Sequence, residues 1–393
     1  MKTVTCLLVF LMLIPKVQAQ NYEEAKVPAY TLPDPLLSLN KVRIKTKTEW
    51  ETTRRPELLR LFADHVYGRS PTAYSDIKFT VTNENKVAME GRAYLKEVRI
   101  DVTQHQKTVA IHLILFLPNR VSGPAPAFLL INNRGKENTD PTRATKSDFW
   151  PAEMLIDQGF AVAAFHVSDA APDDKTTFQN GVLQLYPDLL AADNGMRTLG
   201  AWAWGASRAM DYLQQEARVD KNKVAVIGHS RGGKAALWCA AQDQRFALVV
   251  SNCSGTGGAS LARRQFGETV QRINTTFPHW FTPKYKQYGD NEAALPVDQH
   301  LLMALMAPRP VYVGTAVEDR WADPLGSFLA LKNAETVYAL YGVGPLPSAT
   351  QPQVNTPVIE SRLGYHLREG VHNLTRYDWT QYLAFARYHF EKH

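Results

Sequence analysis

Residues 224–241, VAVIGHSRGGKAALWCAA, constrain the fold more than any other stretch of the chain. VAVI has the length and branched apolar character of a strand buried on both faces. Gly228 ends it, one serine follows, and Gly232 and Gly233 open an alanine-rich run with apolar residues at helical spacing. A buried strand turning sharply into a helix implies a parallel sheet covered by helices, because each return to the sheet needs a crossover. The turn leaves a single hydroxyl, that of Ser230, at the end of a buried strand.

The rest of the chain fits that demand. Segments 76–85, 93–102 and 108–119 alternate polar and apolar residues and are joined by short polar connections, the pattern of antiparallel strands. Past VSGPAP (121–126) the strands at 127–132, 160–167, 223–228, 247–252 and 310–316 are short and nearly all apolar. Helical spacing marks 149–159, 196–215, 234–242 and 376–390. The expected architecture is α/β, a mostly parallel doubly wound sheet with an antiparallel N-terminal edge and helices on both faces, as in the α/β-hydrolase fold. One domain over 20–393 is expected, with insertions near 170–195 and 256–300 and an exposed, Pro-rich and charged start.

Composition narrows function by exclusion. The formal charge of +6 is mild and no block of Lys and Arg stands out, which argues against a nucleic-acid partner. Lys2, the apolar run CLLVFLMLI (6–14) and VQA (17–19) read as an export signal cut after Ala19, with a destination in the periplasm or the medium. No later stretch approaches the roughly 18 apolar residues of a membrane helix. Cys6 leaves with the signal. Cys239 and Cys253 lack metal-type spacing; a disulfide between them is left open, free, buried thiols are the expectation, and no metal or cofactor is expected. The glycosylation sequons at Asn252, Asn274 and Asn373 are read as chance matches, since the first ends a buried strand and the last adjoins a candidate base.

A serine hydroxyl needs a base to take its proton and a carboxylate to hold that base in the right tautomer. Among eleven histidines, His372 has the best placement, on a Gly-bearing loop between a strand and the C-terminal helix. His366 lies within the strand and is assigned to structure, and His229 to packing or a pocket wall. Glu318, Asp319 and Asp323 follow the strand at 310–316; we assign the acid to Asp319, with Glu318 second. The backbone N–H of Arg231, at the helix start, points where an oxyanion would form. Lys234 lies one helical turn beyond Ser230, within reach of the same cleft.

The stretches GHSRGGKAA (228–236), SNCSGTGGA (251–259), RRQFGETVQRINTTFPHWF (263–281), APRPVY (307–312), EDRWADPLGSFLA (318–330) and GVHNLTRYDW (370–379) together resemble the bacterial glucuronoyl esterases of carbohydrate esterase family 15. The resemblance spans roughly 110–390, and its most specific element is SRGGK. It implies metal-free hydrolysis, through an acyl-enzyme, of esters between 4-O-methylglucuronic acid on xylan and lignin alcohols. It also implies Ser230 as nucleophile, His372 as base, Arg231 as oxyanion partner through backbone and guanidinium, and Lys234, Glu268 and Trp321 as sugar contacts. Many relatives carry the acid where this chain has Cys253, which moves the acid to the later loop and favours Asp319. The disulfide beside the nucleophile of fungal members is not expected, because His229 precedes the serine. Other esterases of similar build, acting on acetyl or feruloyl groups, and a non-catalytic sugar-binding protein are the alternatives. The oligomeric state is left open.

Overall fold

The structure, a computed structural model, describes residues 20–391, so the candidate export signal lies outside the described residues. Nine strands form one sheet: β1 (Asp76–Ala88), β2 (Ala93–Gln104), β3 (Lys107–Pro118), β4 (Ala125–Asn132), β5 (Ala161–His166), β6 (Val219–His229), β7 (Leu248–Asn252), β8 (Val311–Ala316) and β9 (Leu363–Arg368). Their order is β1-β2-β3-β5-β4-β6-β7-β8-β9. The first three strands and the β3–β5 pair are antiparallel, and every later pair is parallel. This is the α/β-hydrolase arrangement expected from the change in strand character near residue 121.

Register places the site. Ile131 pairs with Gly228, Gly228 with Ser251, Ser251 with Val313 and Val313 with Tyr365. Five parallel strands therefore end almost level, and the loops after β4, β6, β7, β8 and β9 leave along one rim, where open α/β sheets carry their chemistry.

Alternation along the buried strands builds a core on each face. Leu129, Val226, Val249 and Val313 point to one side, packed with α1 (Thr198–Leu213), α2 (Arg231–Gln242) and α3 (Pro324–Ala339). Phe128, Ile227, Val250 and Tyr312 point to the other, covered by Trp379, Tyr382 and Phe385 of α4 (Arg376–Glu391). Cys239 and Cys253 are free and buried, one on α2 and one just past β7. Among the described residues no helix is long and apolar enough to cross a membrane.

The start of the chain corrects one expectation. Residues 47–67 are not an exposed lead-in but a continuous helical segment of α and π turns. Trp50, Arg54, Leu58, Phe62 and Val66 recur every fourth residue and are all buried. That single stripe was masked in the sequence by the charged residues between its members. Arg55 fastens the segment to the domain by donating to the Ala241 carbonyl at 2.8 Å.

The segments expected as insertions contain short helices only, among them Val182–Leu185, Val270–Thr276 and Pro283–Tyr288. They are tied to each other: Asp173 accepts from the Trp280 indole at 2.7 Å and lies 3.0 Å from His279 Nε2.

The strand-to-helix turn explains its glycines by space. A Cβ on Gly228 would sit 2.1 Å from the Gly232 carbonyl oxygen and 2.7 Å from the Gly233 nitrogen, both backbone atoms that cannot yield. Gly228→Ala should therefore lower unfolding free energy by about 1–3 kcal/mol. Gly344→Ala, where nothing lies within 4 Å, should stay within about 0.5 kcal/mol. Denaturant unfolding of both variants tests the contrast; equal stability would show that the turn is not close-packed.

Candidate active site

Ser230 has φ 55° and ψ −127°, a conformation that side-chain-bearing residues hold only where the surroundings impose it. Its N–H donates to the Asn252 carbonyl at 2.8 Å, and its own carbonyl accepts from Gly233 N at 2.9 Å and Lys234 N at 3.1 Å, starting α2. The hydroxyl is not spent on capping that helix. Strand end and helix start thus fix the backbone on both sides of a hydroxyl that projects at the rim, while the Arg231 N–H opens the positive end of α2.

His372, on the loop after β9, brings its Nδ1 to 2.7 Å from Asp319 Oδ2. The carboxylate is buried and the imidazole about one-third exposed, with side-chain exposures of 2% and 37%. An ionised carboxylate only accepts, so Nδ1 carries the proton and Nε2 keeps its lone pair for a substrate-side proton. The loops after β8 and β9 are laced together by Val317 N to Arg368 O at 2.9 Å and Glu318 N to Gly370 O at 3.1 Å. The His372 ring lies 4.6 Å, between centroids, from the ring of His229, the residue before Ser230. Of the other two carboxylates on this loop, Glu318 is exposed. Asp323 is buried, pairs with Arg264 at 2.8 Å and caps α3 through Gly326 N at 2.9 Å.

His229 is held by a polar chain running back into the core. Asn252 donates through Nδ2 to Asp378 at 3.1 Å and to the Tyr382 hydroxyl at 2.8 Å, so its Oδ1 accepts from His229 Nδ1 at 2.6 Å. His229 Nε2 then carries the lone pair and faces Arg134 Nη2 at 3.4 Å. Burial, followed by the neighbouring His372, pushes the His229 pKa well below the ordinary histidine value. Asp378 also accepts from His366 Nε2, Arg368 Nε, Thr375 N and Thr375 Oγ1 at 2.7–2.9 Å. Burial would raise the Asp378 pKa, but His366, Arg368 and Thr375 together hold it below the usual carboxylate value. His366, entirely buried between Asp378 and Tyr312, is structural.

The cations form two pairs. Arg231 Nε lies 2.6 Å from Asp173 Oδ2, close enough for charge pairing but off the N–H axis, so that N–H keeps unspent hydrogen-bonding capacity. Its guanidinium sits 5.7 Å from the centroid of the Trp280 ring. Lys234 does not extend into open space: its Nζ is buried, bonded to the Thr256 carbonyl and, at 2.7 Å, to Glu268 Oε2. Burial pushes the Lys234 pKa down against the pull of Glu268, and pushes that of Glu268 up against the pull of Lys234. Glu268 N donates to the Trp321 carbonyl at 2.9 Å, tying this pair to the half-buried Trp321.

Cys253 sits beside His372 and Asp319. Ligand-type atoms of Cys253, Asp319 and His372 lie within 4.8 Å of one another, a spacing a metal ion could use. Burial, then Asp319, raises the Cys253 pKa well above the ordinary thiol value, and Asp319 already accepts the His372 Nδ1 proton. In the metal-free protein the thiol keeps its proton, and the imidazole Nδ1 is spent on the carboxylate.

Sequence reasoning missed Asp173, Asn252, Asp378 and Arg134. Asn252 and Arg134 were findable, since each closes or follows a strand beside β6. Asp173 carried no local signal, because its partners lie on distant segments; Asp378 carried one, since Thr375 three residues before it forms a T-x-x-D cap at the start of α4.

Comparison with known proteins agrees with this geometry. A family model described as "Glucuronyl esterase, fungi" matches residues 100–342. A carbohydrate esterase, MZ0003, from an unknown prokaryotic organism is 39% identical over 98% of both chains. A glucuronoyl esterase of Solibacter usitatus superposes with a TM-score of 0.87 at 37% identity, covering 93% of this chain and 99% of its own. The chain belongs to the glucuronoyl esterases of carbohydrate esterase family 15. It is a carboxylic ester hydrolase, and in it the carboxylate that meets His372 stands on the loop after β8.

Two outcomes follow for this esterase. Asp319→Asn should lower kcat about 10⁴-fold with KM little changed, and Glu318→Asn should leave kcat within a few-fold; steady-state kinetics decide, and the reverse pattern would move the acid by one residue. His229, neutral when folded, contributes stability that is fully present above about pH 6.5 and is lost as pH falls. His229→Gln should reduce the slope of unfolding free energy between pH 6.5 and 5 by up to about 1.4 kcal/mol per pH unit. Denaturation across that range checks it, and an unchanged slope would mean that His229 is protonated in the folded protein.

Proposed function

We propose that this enzyme cleaves the ester between 4-O-methylglucuronic acid branches of xylan and lignin alcohols. Ser230 Oγ gives its proton to His372 Nε2 and attacks the ester carbonyl carbon. The pair from the C=O bond moves onto oxygen, where the Arg231 N–H and guanidinium meet it at the start of α2. Collapse expels the alcohol, protonated by His372, and leaves a uronoyl ester on Ser230. Water, activated by the same imidazole, then releases the uronic acid. Asp319 keeps the imidazole in the Nδ1–H tautomer and stabilises its cation.

What carries this reading is the 2.7 Å bond from His372 to a buried Asp319 at the rim where Ser230 is held in a strained turn. The linked Lys234, Glu268 and Trp321 supply one cation, one acceptor and one apolar face, the chemistry that distinguishes a uronosyl ring from a plain alkyl acid. Residues 20–393 act as one catalytic domain, exported by the first nineteen. A broader esterase is the second reading, favoured by a 40% identical structural neighbour from a marine metagenome that is described as promiscuous.

Ser230→Ala should cut turnover of benzyl glucuronate at least about 10⁴-fold while glucuronate still binds. The wild type should hydrolyse methyl or benzyl glucuronate with a higher kcat/KM than acetylated xylan or methyl ferulate. A clear preference for either of the latter two would replace the substrate class, and full turnover in the alanine variant would remove the serine mechanism.

A further inference from the structure

The loop after β4 supplies a second cation at the rim. In this topology the strand beside the nucleophile strand carries the loop that completes the oxyanion site, usually through a main-chain N–H. Here the Arg134 N–H is already taken by Asn132 Oδ1 at 3.0 Å, and its carbonyl lies 2.8 Å from His166 Nε2. The main chain at 134 is satisfied and anchored; what remains to offer is the side chain.

That side chain is half-buried and under-partnered. Its guanidinium lies 4.7 Å from the centroid of the Phe149 ring, and its hydrogen bond to a side chain is the 3.4 Å contact with neutral His229 Nε2. Among the described residues no carboxylate stands at ion-pair distance from it. Other withdrawn arginines differ. Arg197 donates to five main-chain carbonyl groups, Arg309 to three, and Arg368 to Asp378. Arg231, the other guanidinium at this rim, has Asp173. Burial, followed by the charge of Arg231, lowers the Arg134 pKa. A partly desolvated cation with five donors and one long neutral partner is stabilised by an anion brought from outside.

We propose that Arg134 binds the reacting carboxyl group of the substrate, pairing with negative charge on the tetrahedral oxygen and with the uronate carboxylate once it is released. No bond is made or broken by Arg134; it supplies the counter-charge that Asp173 diverts from Arg231. This rests on the reading of the substrate as a glucuronoyl ester. The ester is neutral in the ground state, so the residue acts on kcat and on affinity for the anionic product more than on KM.

The test uses the full-length enzyme with methyl glucuronate as substrate, and D-glucuronate and neutral methyl glucopyranoside as inhibitors. Arg134→Met keeps the apolar contact with Phe149 and removes the charge; Arg134→Lys keeps the charge. The methionine variant should show glucuronate inhibition weakened about tenfold or more, methyl glucopyranoside inhibition unchanged, and kcat lowered with KM held. The lysine variant should recover most of both losses. Unaltered glucuronate inhibition in the methionine variant, or equal losses in both variants and with both inhibitors, would overturn the proposal. If the methionine variant fails to fold, Arg134→Gln, which also removes the charge, takes its place: glucuronate inhibition weakened about tenfold or more supports the proposal, and unaltered inhibition overturns it. A wild type that does not turn over methyl glucuronate would defeat the substrate reading, a result distinct from an active wild type with an indifferent Arg134→Met.

Discussion

The level ending of β4, β6, β7, β8 and β9 is the constraint on which the rest of this molecule depends. Parallel pairing fixes Ile131, Gly228, Ser251, Val313 and Tyr365 side by side. Residues as far apart in the chain as Ile131 and Tyr365, 234 positions, are thereby delivered to one rim within a few residues of their strand ends. Ser230 follows β6 by one residue, Cys253 follows β7 by one, Asp319 follows β8 by three and His372 follows β9 by four. The two residues of longest reach are the pair that bond to each other, through loops laced by two main-chain hydrogen bonds.

Precision at that rim comes from beneath it. Asp378 is buried, yet it is held as an anion by Arg368, His366 and Thr375. Through Asn252 that carboxylate orients His229, and the Asn252 carbonyl receives the Ser230 N–H. One asparagine side chain and its own backbone thus locate both His229 and Ser230. A neutral His229 is the consequence that matters: a second imidazolium 4.6 Å from His372 would oppose the positive charge that His372 takes up in the proposed mechanism.

Much of the fold was legible because strand character changes along the chain. Alternating segments before residue 120 became β1 to β3, and the short apolar runs became the parallel strands, with ends displaced by a few residues. The helical segment 47–67 was not legible: its stripe contains Arg54 and is crowded by Thr, Glu and Arg, so local polarity hid a four-residue period. At the site, Ser230 and His372 were singled out from strand, turn and helix signals; Asp319 was preferred to Glu318 without knowledge of burial, and only the folded loop shows Asp319 buried against His372 and Glu318 exposed. Lys234 and Glu268 were read as separate contacts aimed at a cleft. Their burial against each other could not be seen, since 34 residues separate them and only the folded 256–268 segment brings them to 2.7 Å. Arg134 was hidden for the opposite reason. A lone arginine in a polar loop looks solvated until Phe149 and His229 are found around it.

The central claim is that a proton held at His372 by Asp319 makes the Ser230 oxygen nucleophilic. Covalent labelling with a fluorophosphonate, located by mass spectrometry of the peptide spanning 224–241 and timed in wild type and Asp319→Asn, tests it most directly. The account predicts one adduct, on Ser230, formed about 10³-fold or more slowly in the variant. An adduct on another residue, or equal labelling rates in the two proteins, would contradict it.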